Sequence, residues 1–326
     1  MKKIDIVIPV FKAKETIVRT LGSILIQSLV KECKVTLVND YDGLDYSSII
    51  NTFSPYFEIV EIRLDKNCGA GVARQVGIDN SNLTYFTCID ADDSFSSTFA
   101  LEFLLNKMEK EENAVLVAGS FLQEDKDLHF VQCNNDLVFM FGKLYKRSFI
   151  EKYQIQFNNT RANEDTGFNT MVRLCANSNE KIFFIKDAVY YWHMREDSIT
   201  RINNYEFTYN QSFTGYVANM IYAINHVRKV NPLNSYINTW IIEVYAKLYL
   251  YLMRTKINDD RFTEQNFNSC VKYYNEIYKD VAEIFVVESR NEIIAKIIME
   301  RALEMKNVIP FLTVEEFTNK LKEGKL

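Results

Sequence analysis

Proline and glycine are scarce in this chain, at 4 and 10 of 326 residues. That scarcity excludes a turn-dense β-sandwich, a Pro-rich linker and a disordered low-complexity protein. There is no excess of basic residues either: 38 Lys+Arg stand against 43 Asp+Glu, a formal net charge of -5. The electrostatic footprint of a non-specific nucleic-acid binder is therefore missing. From Tyr205 onward acidic and basic residues balance at 15 each, so the whole negative excess lies before that point. The six cysteines, Cys33, Cys68, Cys88, Cys133, Cys175 and Cys270, contain no C-x-x-C pair. A disulfide framework and a zinc site are thus not indicated, and a reducing compartment is the expected setting. No run approaches the roughly 18 uninterrupted apolar residues of a membrane span. Met1-Lys2-Lys3 leads straight into an alternating segment containing Asp5, too short and too early for a signal-peptide core.

What is present is apolar and aromatic: 48% hydrophobic residues, with 19 Tyr and 23 Phe. At roughly 150 residues per domain this length suggests one large domain or two. Ile4 to Val10 reads as a buried strand. Ile17, Leu21, Ile24 and Leu25 then recur at helical spacing, and Val35 to Val38 forms a second short strand. Strand, helix, strand within forty residues is a βαβ unit and predicts a parallel sheet with a right-handed crossover. Further strands are predicted at Phe57 to Leu64, Tyr85 to Ile89 and Val115 to Ser120. Helices follow at Val72 to Asp79 and along Leu101, Leu104, Leu105 and Met108. No regular period survives from Gln123 to Asn135. A helical stripe returns at Phe168, Met171, Val172 and Cys175, and Lys181 to Trp192 reads as a pair of strands. Beyond Tyr205 only helical patterns remain, with stripes at Trp240, Val244, Leu248 and Leu252 and at Ile293, Ile294, Ile297 and Ile298. The division expected is 1–205, with halves of about 1–95 and 96–205, followed by an all-helical 206–326.

The polar clusters all fall where strands end. Asn39-Asp40 closes the second strand, Asn67-Cys68-Gly69-Ala70-Gly71 follows the third, and Asp90-Ala91-Asp92-Asp93 follows the fourth. Ligands of an open α/β sheet bind outside the carboxyl ends of its strands, so these loops should converge on one crevice. Three carboxylates within four residues repel one another, a cost that a divalent cation with oxygen ligands removes. The competing reading is a solvated acidic turn that caps the next helix.

The ordered series Ile6-Val7-Ile8-Pro9-Val10-Phe11, Ser23 to Ser28, Leu37-Val38-Asn39-Asp40, Asn67 to Ile78 and Asp90-Ala91-Asp92-Asp93 resembles the family 2 glycosyltransferases. These are inverting enzymes of the GT-A fold. The match is close over the first 100 residues and looser to about residue 201. It implies an α/β, Rossmann-like, mostly parallel sheet with flanking helices, a nucleotide-sugar donor (a UDP-sugar in the first instance) and Mn²⁺ or Mg²⁺ as cofactor. Pro9, Phe11, Asp40, Asn67, Arg74, Asp90, Ala91 and Arg201 would hold the nucleotide, and Asp92 and His193 the metal. Asp165, in Asn163-Glu164-Asp165, would be the base. A helix N-terminus should lower its pKa.

Simpler roles compete at each position: an Asx-turn for Asp40, a surface helix arginine for Arg74, a helix cap for Asp165, and a structural strand-end histidine for His193. Lys143 and Lys146 look like scaffold beneath the acceptor site. Two departures stand out: Lys12 where the family has Asn, and Asn39 where it has the first of two acids. Some bacterial enzymes that decorate wall teichoic acid share this size and layout, which points to a glycan, teichoic-acid or other surface-polymer acceptor. The expected location is the cytoplasm, at the inner face of the membrane if membrane-associated. The aromatic helices beyond 205 are read as core or homo-oligomer contacts, with an acceptor platform as the alternative. A dinucleotide-dependent dehydrogenase is disfavoured because Pro9-Val10-Phe11-Lys12 stands where G-x-G-x-x-G would be. A catalytically inactive sugar-nucleotide-binding scaffold is the remaining alternative.

Overall fold

The computed structural model describes residues 2–195, 212–234, 236–258, 263–284, 295–296, 299–300 and 312–324. The chain divides into two compact units, Met1–Ile202 and Asn203–Leu326.

The first unit is built on β1 (Ile4–Val10), whose residues are almost all buried. Helix α1 (Ile17–Leu25) leads to β2 (Cys33–Asn39), and α2 (Ser47–Phe53) to β3 (Glu58–Arg63). The chain then returns through α3 (Ala70–Asp79) to β4 (Tyr85–Cys88), on the other side of β1. Strands β3, β2, β1 and β4 run parallel. Because the connections leave β1 first toward β2 and later toward β4, a topological switch point lies between β1 and β4. That is the crevice in which such sheets bind ligands.

Next come β5 (Ser94–Phe95), α4 (Ala100–Lys110), β6 (Ala114–Glu124), β7 (Phe130–Cys133), β8 (Lys143–Lys146), α5 (Arg147–Lys152), α6 (Glu164–Cys175) and β9 (Lys181–Trp192). They extend the sheet to the order β3-β2-β1-β4-β8-β6-β9-β5, with β7 paired to β6. Strand β8 is antiparallel to both β4 and β6, whereas β6 and β9 are parallel. The mixed sheet with helices on its faces is the predicted α/β architecture.

Two local readings change. Lys181 to Trp192 is one long strand, not a pair. Its register against β6 shifts around Ser120, so the polar Lys186-Asp187 that looks like a turn is absorbed as an irregularity. The patternless Gln123 to Asn135 contains a hairpin in which β7 pairs with the end of β6. Its outer residues Leu128, Phe130 and Val131 are exposed, which hides the alternation.

Helix α3 presses unusually close to the sheet. A Cβ on Gly77 would stand 2.4 Å from Val7 Cγ1 and 3.2 Å from Val38 Cγ2, so only glycine lets the helix lie there. The inner face of α4, Leu101, Leu104, Leu105 and Met108, is buried as its spacing predicts.

The second unit contains α7 (Ser212–Val230), α8 (Ile237–Asn258), α9 (Thr263–Ile284) and α10 (Val314–Glu323). Helix α10 starts on a capping box in which Thr313 and Glu316 satisfy each other's backbone. Tyr245, Tyr249, Tyr273 and Tyr274 are buried. Tyr249 donates to the Leu312 carbonyl at 2.7 Å and Tyr273 to that of Thr214 at 3.2 Å. These rings are core of their own unit. The stripe on α8 is centred on Ile237, Ile241, Val244 and Leu248, with Trp240 only half-buried. The stripe read at Ile293 to Ile298 lies outside the described residues. No described helix is long and apolar enough to cross a membrane.

Candidate active site

The loops after β1, β2, β3 and β4 meet as neighbours because their strands are neighbours. The Asp40 amide bonds the Val10 carbonyl at 2.8 Å, continuing the β1–β2 ladder past its last pair, Val10 with Asn39. Phe11 and Tyr41 follow at these two strand ends, both exposed. Pro9 remains within β1, half-buried. Lys12 has a φ of 51°, a left-handed conformation that asparagine tolerates better than lysine. The expected Asn at this place thus has a backbone reason.

Asp40 is buried, and its two oxygens accept the amides of Cys68 at 2.6 Å and Gly69 at 2.7 Å. Its placement is that of a clamp on the loop after β3, so the expected contact with a base does not have a free carboxylate to itself. Asn67 belongs to the same clamp: it donates to the Asp40 carbonyl at 3.2 Å, and its own carbonyl accepts from Arg161 at 3.0 Å. The nearby carboxylate that sequence reasoning passed over is Asp42. It accepts Lys12 N–H at 2.8 Å, Leu44 N–H at 2.9 Å and the Tyr46 hydroxyl at 2.6 Å. Although burial opposes it, these bonds hold the Asp42 carboxyl below its ordinary pKa.

Arg74 is placed otherwise than expected. It is buried on α3, and its fork is spent on two carboxylates, Asp90 Oδ1 at 2.7 Å and Glu164 Oε1 at 2.8 Å. Burial disfavours its charge, but Asp90 and Glu164 outweigh that and raise its pKa well above the ordinary value. An arginine in such a fork positions carboxylates. The approach requires Gly71, since a Cβ there would meet Glu164 Cγ at 2.7 Å and Cβ at 3.0 Å. Gly71→Ala is therefore expected to push Glu164 off Arg74 and to cost about 1–3 kcal/mol, the usual penalty of overpacking. Urea denaturation checks it, and unchanged stability would show that Glu164 has room to give.

The acidic cluster after β4 divides its labour. Asp90 and Asp92 have side chains 32% and 30% exposed, whereas Asp93 turns inward. It accepts the Tyr190 hydroxyl at 2.7 Å and the His193 amide at 2.9 Å. Burial, then the charges of Asp90 and Asp92, raise the Asp93 pKa well above normal. Burial followed by the charge of Asp90 also raises that of Asp92. Ala91, between them, is buried. Asp92 Oδ2 accepts from Arg195 at 3.0 Å, and its carbonyl accepts from Arg19.

Two partly exposed carboxylates whose mutual repulsion raises a pKa are hard oxygen donors suited to Mg²⁺ or Mn²⁺, so the residues fit such an ion. Asp125, Asp127 and His129 also bring ligand atoms within 4.8 Å of one another. There, however, Asp125 Oδ1 is engaged by the Asp127 and His129 amides at 2.8 and 2.9 Å, the arrangement of an Asx-type hairpin turn.

His193, the expected metal ligand, has both ring nitrogens engaged by side chains of the protein. Its Nε2 lies 2.8 Å from Ser94 Oγ and its Nδ1 3.3 Å from Glu124 Oε2. Burial, then the charge of Arg19, lowers its pKa. A neutral ring satisfies both neighbours by donating Nδ1–H to Glu124 and accepting from Ser94. Its backbone amide meanwhile ties Asp93, so His193 braces the acidic loop. Arg201 lies outside the described residues.

Asp165 opens α6 beside Glu164. Its Oδ1 accepts the Thr166 amide at 2.8 Å. The helix terminus does not decide its acidity. Burial, with the charge of Glu164 next, pushes the carboxyl up to about 7, against the opposing pull of Arg74. This reverses the expected direction and suits a base working near neutrality. Below α6, Lys143 is buried and pairs with Asp136 at 2.6 Å. Tyr145 donates to Asn169 at 2.8 Å. Lys143, read from the sequence as scaffold, thus spends its charge within the fold.

The profile described as Glycosyl transferase family 2 matches residues 5–176. Among curated proteins, the Staphylococcus aureus poly(ribitol-phosphate) beta-N-acetylglucosaminyltransferase TarP is 26% identical over 248 residues, 70% of this chain and 72% of that protein. The Bacillus spizizenii poly(ribitol-phosphate) beta-glucosyltransferase is 25% identical over 78% of this chain and 41% of its own length. The glycosyltransferase GlyA of Streptococcus pneumoniae is 23% identical over 61% of this chain but only 32% of its own. The chain thus spans less than half of two of these three relatives. Among solved structures, S. aureus TarS residues 1–349 in complex with UDP-GlcNAc superposes with a TM-score of 0.71 at 15% identity, over 99% of this chain and 92% of that one. The same TarS segment in complex with UDP gives 0.68 at 14% identity, with the same coverage.

Proposed function

Because the chain belongs to Glycosyl transferase family 2 and is a glycosyltransferase of the GT-A fold, we propose that it moves a sugar from a UDP-sugar to a hydroxyl of a teichoic-acid-type surface polymer, with inversion. The names of TarP and the Bacillus enzyme support the acceptor class. The UDP-GlcNAc complex of TarS supports the donor, with GlcNAc as the first sugar to try. We assign catalysis to residues 1–205, and acceptor binding or homo-oligomer contacts to 206–326. The setting is the cytoplasmic side of the membrane, where the donor is available.

The observation that carries the proposal is the Arg74 fork. It joins Asp90, in the acidic loop after β4, to Glu164, the immediate neighbour of Asp165, and so keeps a donor side and an acceptor side in fixed relation. Phe11 and the Asp40 loop flank the base. Asp90, partly exposed, faces the ribose. Asp165 takes the proton of the acceptor hydroxyl as the new bond forms on the face opposite the leaving group. Asp93, Tyr190 and His193 hold the acidic loop still, which keeps reacting atoms in line. A divalent cation held at Asp92 would neutralise charge developing on the diphosphate.

A UDP-sugar panel with Mn²⁺ tests this. Slow UDP release from one donor, abolished by EDTA and reduced at least ~10²-fold by Asp92→Ala, is the expected result, the scale of removing one transition-state charge partner. Turnover untouched by either treatment would overturn the metal assignment, and no donor turnover with any UDP-sugar would overturn the donor class.

A further inference from the structure

The carboxylate of Asp92 already carries a cation of the chain's own. Arg195, just past β9, donates Nη1 to Oδ2 at 3.0 Å, and both side chains are 30% exposed. Arg19, from α1, reaches the main-chain carbonyl of the same residue. Two guanidiniums therefore converge on Asp92 from elements distant in sequence, but only Arg195 occupies a carboxylate oxygen. A divalent ion seeks the same carboxylate. The carboxylate has a second oxygen, but two cations on one carboxylate repel each other, and an ion that takes both oxygens displaces the guanidinium.

We infer that Arg195 is a positioning residue that a divalent cation displaces from Asp92, and that the released guanidinium pairs with an anionic oxygen of the nucleotide diphosphate. This deepens the proposed function and rests on its placement of the metal at Asp92. The exchange is cheap, because a partly exposed pair contributes only about 0.2–1 kcal/mol and the arginine fork is suited to phosphate. It also makes the two ligands help each other. Metal binding frees the arginine for the diphosphate, and a diphosphate that captures the arginine frees the carboxylate for the metal, so the coupling must be reciprocal.

The test is a Mn²⁺ titration of the full chain, read by electron paramagnetic resonance of free Mn²⁺, without nucleotide and then with UDP. Arg195→Gln should bind Mn²⁺ about 1.5- to 5-fold more tightly than wild type without UDP, the range set by an exposed ion pair. Added UDP should then tighten Mn²⁺ binding less in the variant than in wild type. Arg195→Lys, which keeps the charge and a donor, should stay near wild type. Arg19→Gln removes a charge that holds no carboxylate oxygen, so its gain should be smaller. Equal or weaker Mn²⁺ affinity in Arg195→Gln, or an equal gain in Arg19→Gln, overturns the exchange while leaving the metal site standing. Wild-type and variant chains that both fail to bind Mn²⁺ overturn the exchange and the metal placement together.

Discussion

Asp165→Asn is expected to lower sugar transfer by about 10²–10⁴-fold, the range that general-base catalysis contributes, while UDP affinity stays within twofold of wild type. The amide keeps the volume and the hydrogen bond from the Thr166 amide but cannot take a proton. In the unmodified enzyme the base is active only when ionised. With a carboxyl pushed up to about 7, kcat/KM should therefore rise with pH up to about that value and fall roughly tenfold for each unit below it. The sign for stability is opposite to that of a salt-bridged acid. The folded chain holds this proton to about 7, whereas the unfolded chain releases it near 4. Asp165 thus costs the fold stability progressively as pH rises through that window. A flat pH profile across 5.5–8, or a fully active Asn variant, would remove Asp165 from the mechanism.

Arg74→Met is expected to destabilise the first unit strongly and to alter the pH dependence of activity. The substitution keeps much of the side chain's length but takes from Asp90 and Glu164 the cation they share. Breaking a buried pair in this way costs about 3–5 kcal/mol, which for a unit of this size lowers Tm by roughly 6–20 °C. Activity should suffer independently of unfolding. Arg74 pulls the Asp165 pKa down, so its loss should move the rising limb of the pH profile to higher pH, a shift that a merely weakened fold would not produce. Arg74→Lys, which keeps the charge but not the bidentate reach, should fall between. A Met variant that melts with wild type and keeps its pH limb would show that the fork does not organise the site.

The parts of this molecule that a reader of the sequence recovers are those written in local pattern. Val35 to Val38 is apolar and Asn39-Asp40 is not, so the end of a strand is visible in six letters. The stripe on α4 is legible for the same reason. The Arg74–Glu164 pair is not, because its partners lie 90 positions apart and neither has a neighbour that hints at the other. Gly71 did stand in a motif, but its cause, the approach of Glu164, belongs to tertiary structure. The acidity of Asp165 is not legible either, because the helix terminus is visible in the sequence and the burial that outweighs it is not. The sequence likewise placed His193 correctly at a strand end, yet its two ring partners, Ser94 and Glu124, come from strands about 100 and 70 residues away.

The crowding of Gly71 against Glu164 has a consequence for how such chains can change over generations. A side chain at 71 demands a shorter one at 164, a shorter residue at 164 takes from the guanidinium at 74 one of its two carboxylates, and a neutral residue at 74 leaves the remaining acids without their cation. These three positions, 71, 74 and 164, cannot drift independently. Lineages descended from this one should exchange them together or not at all, whatever sugar or polymer they come to use.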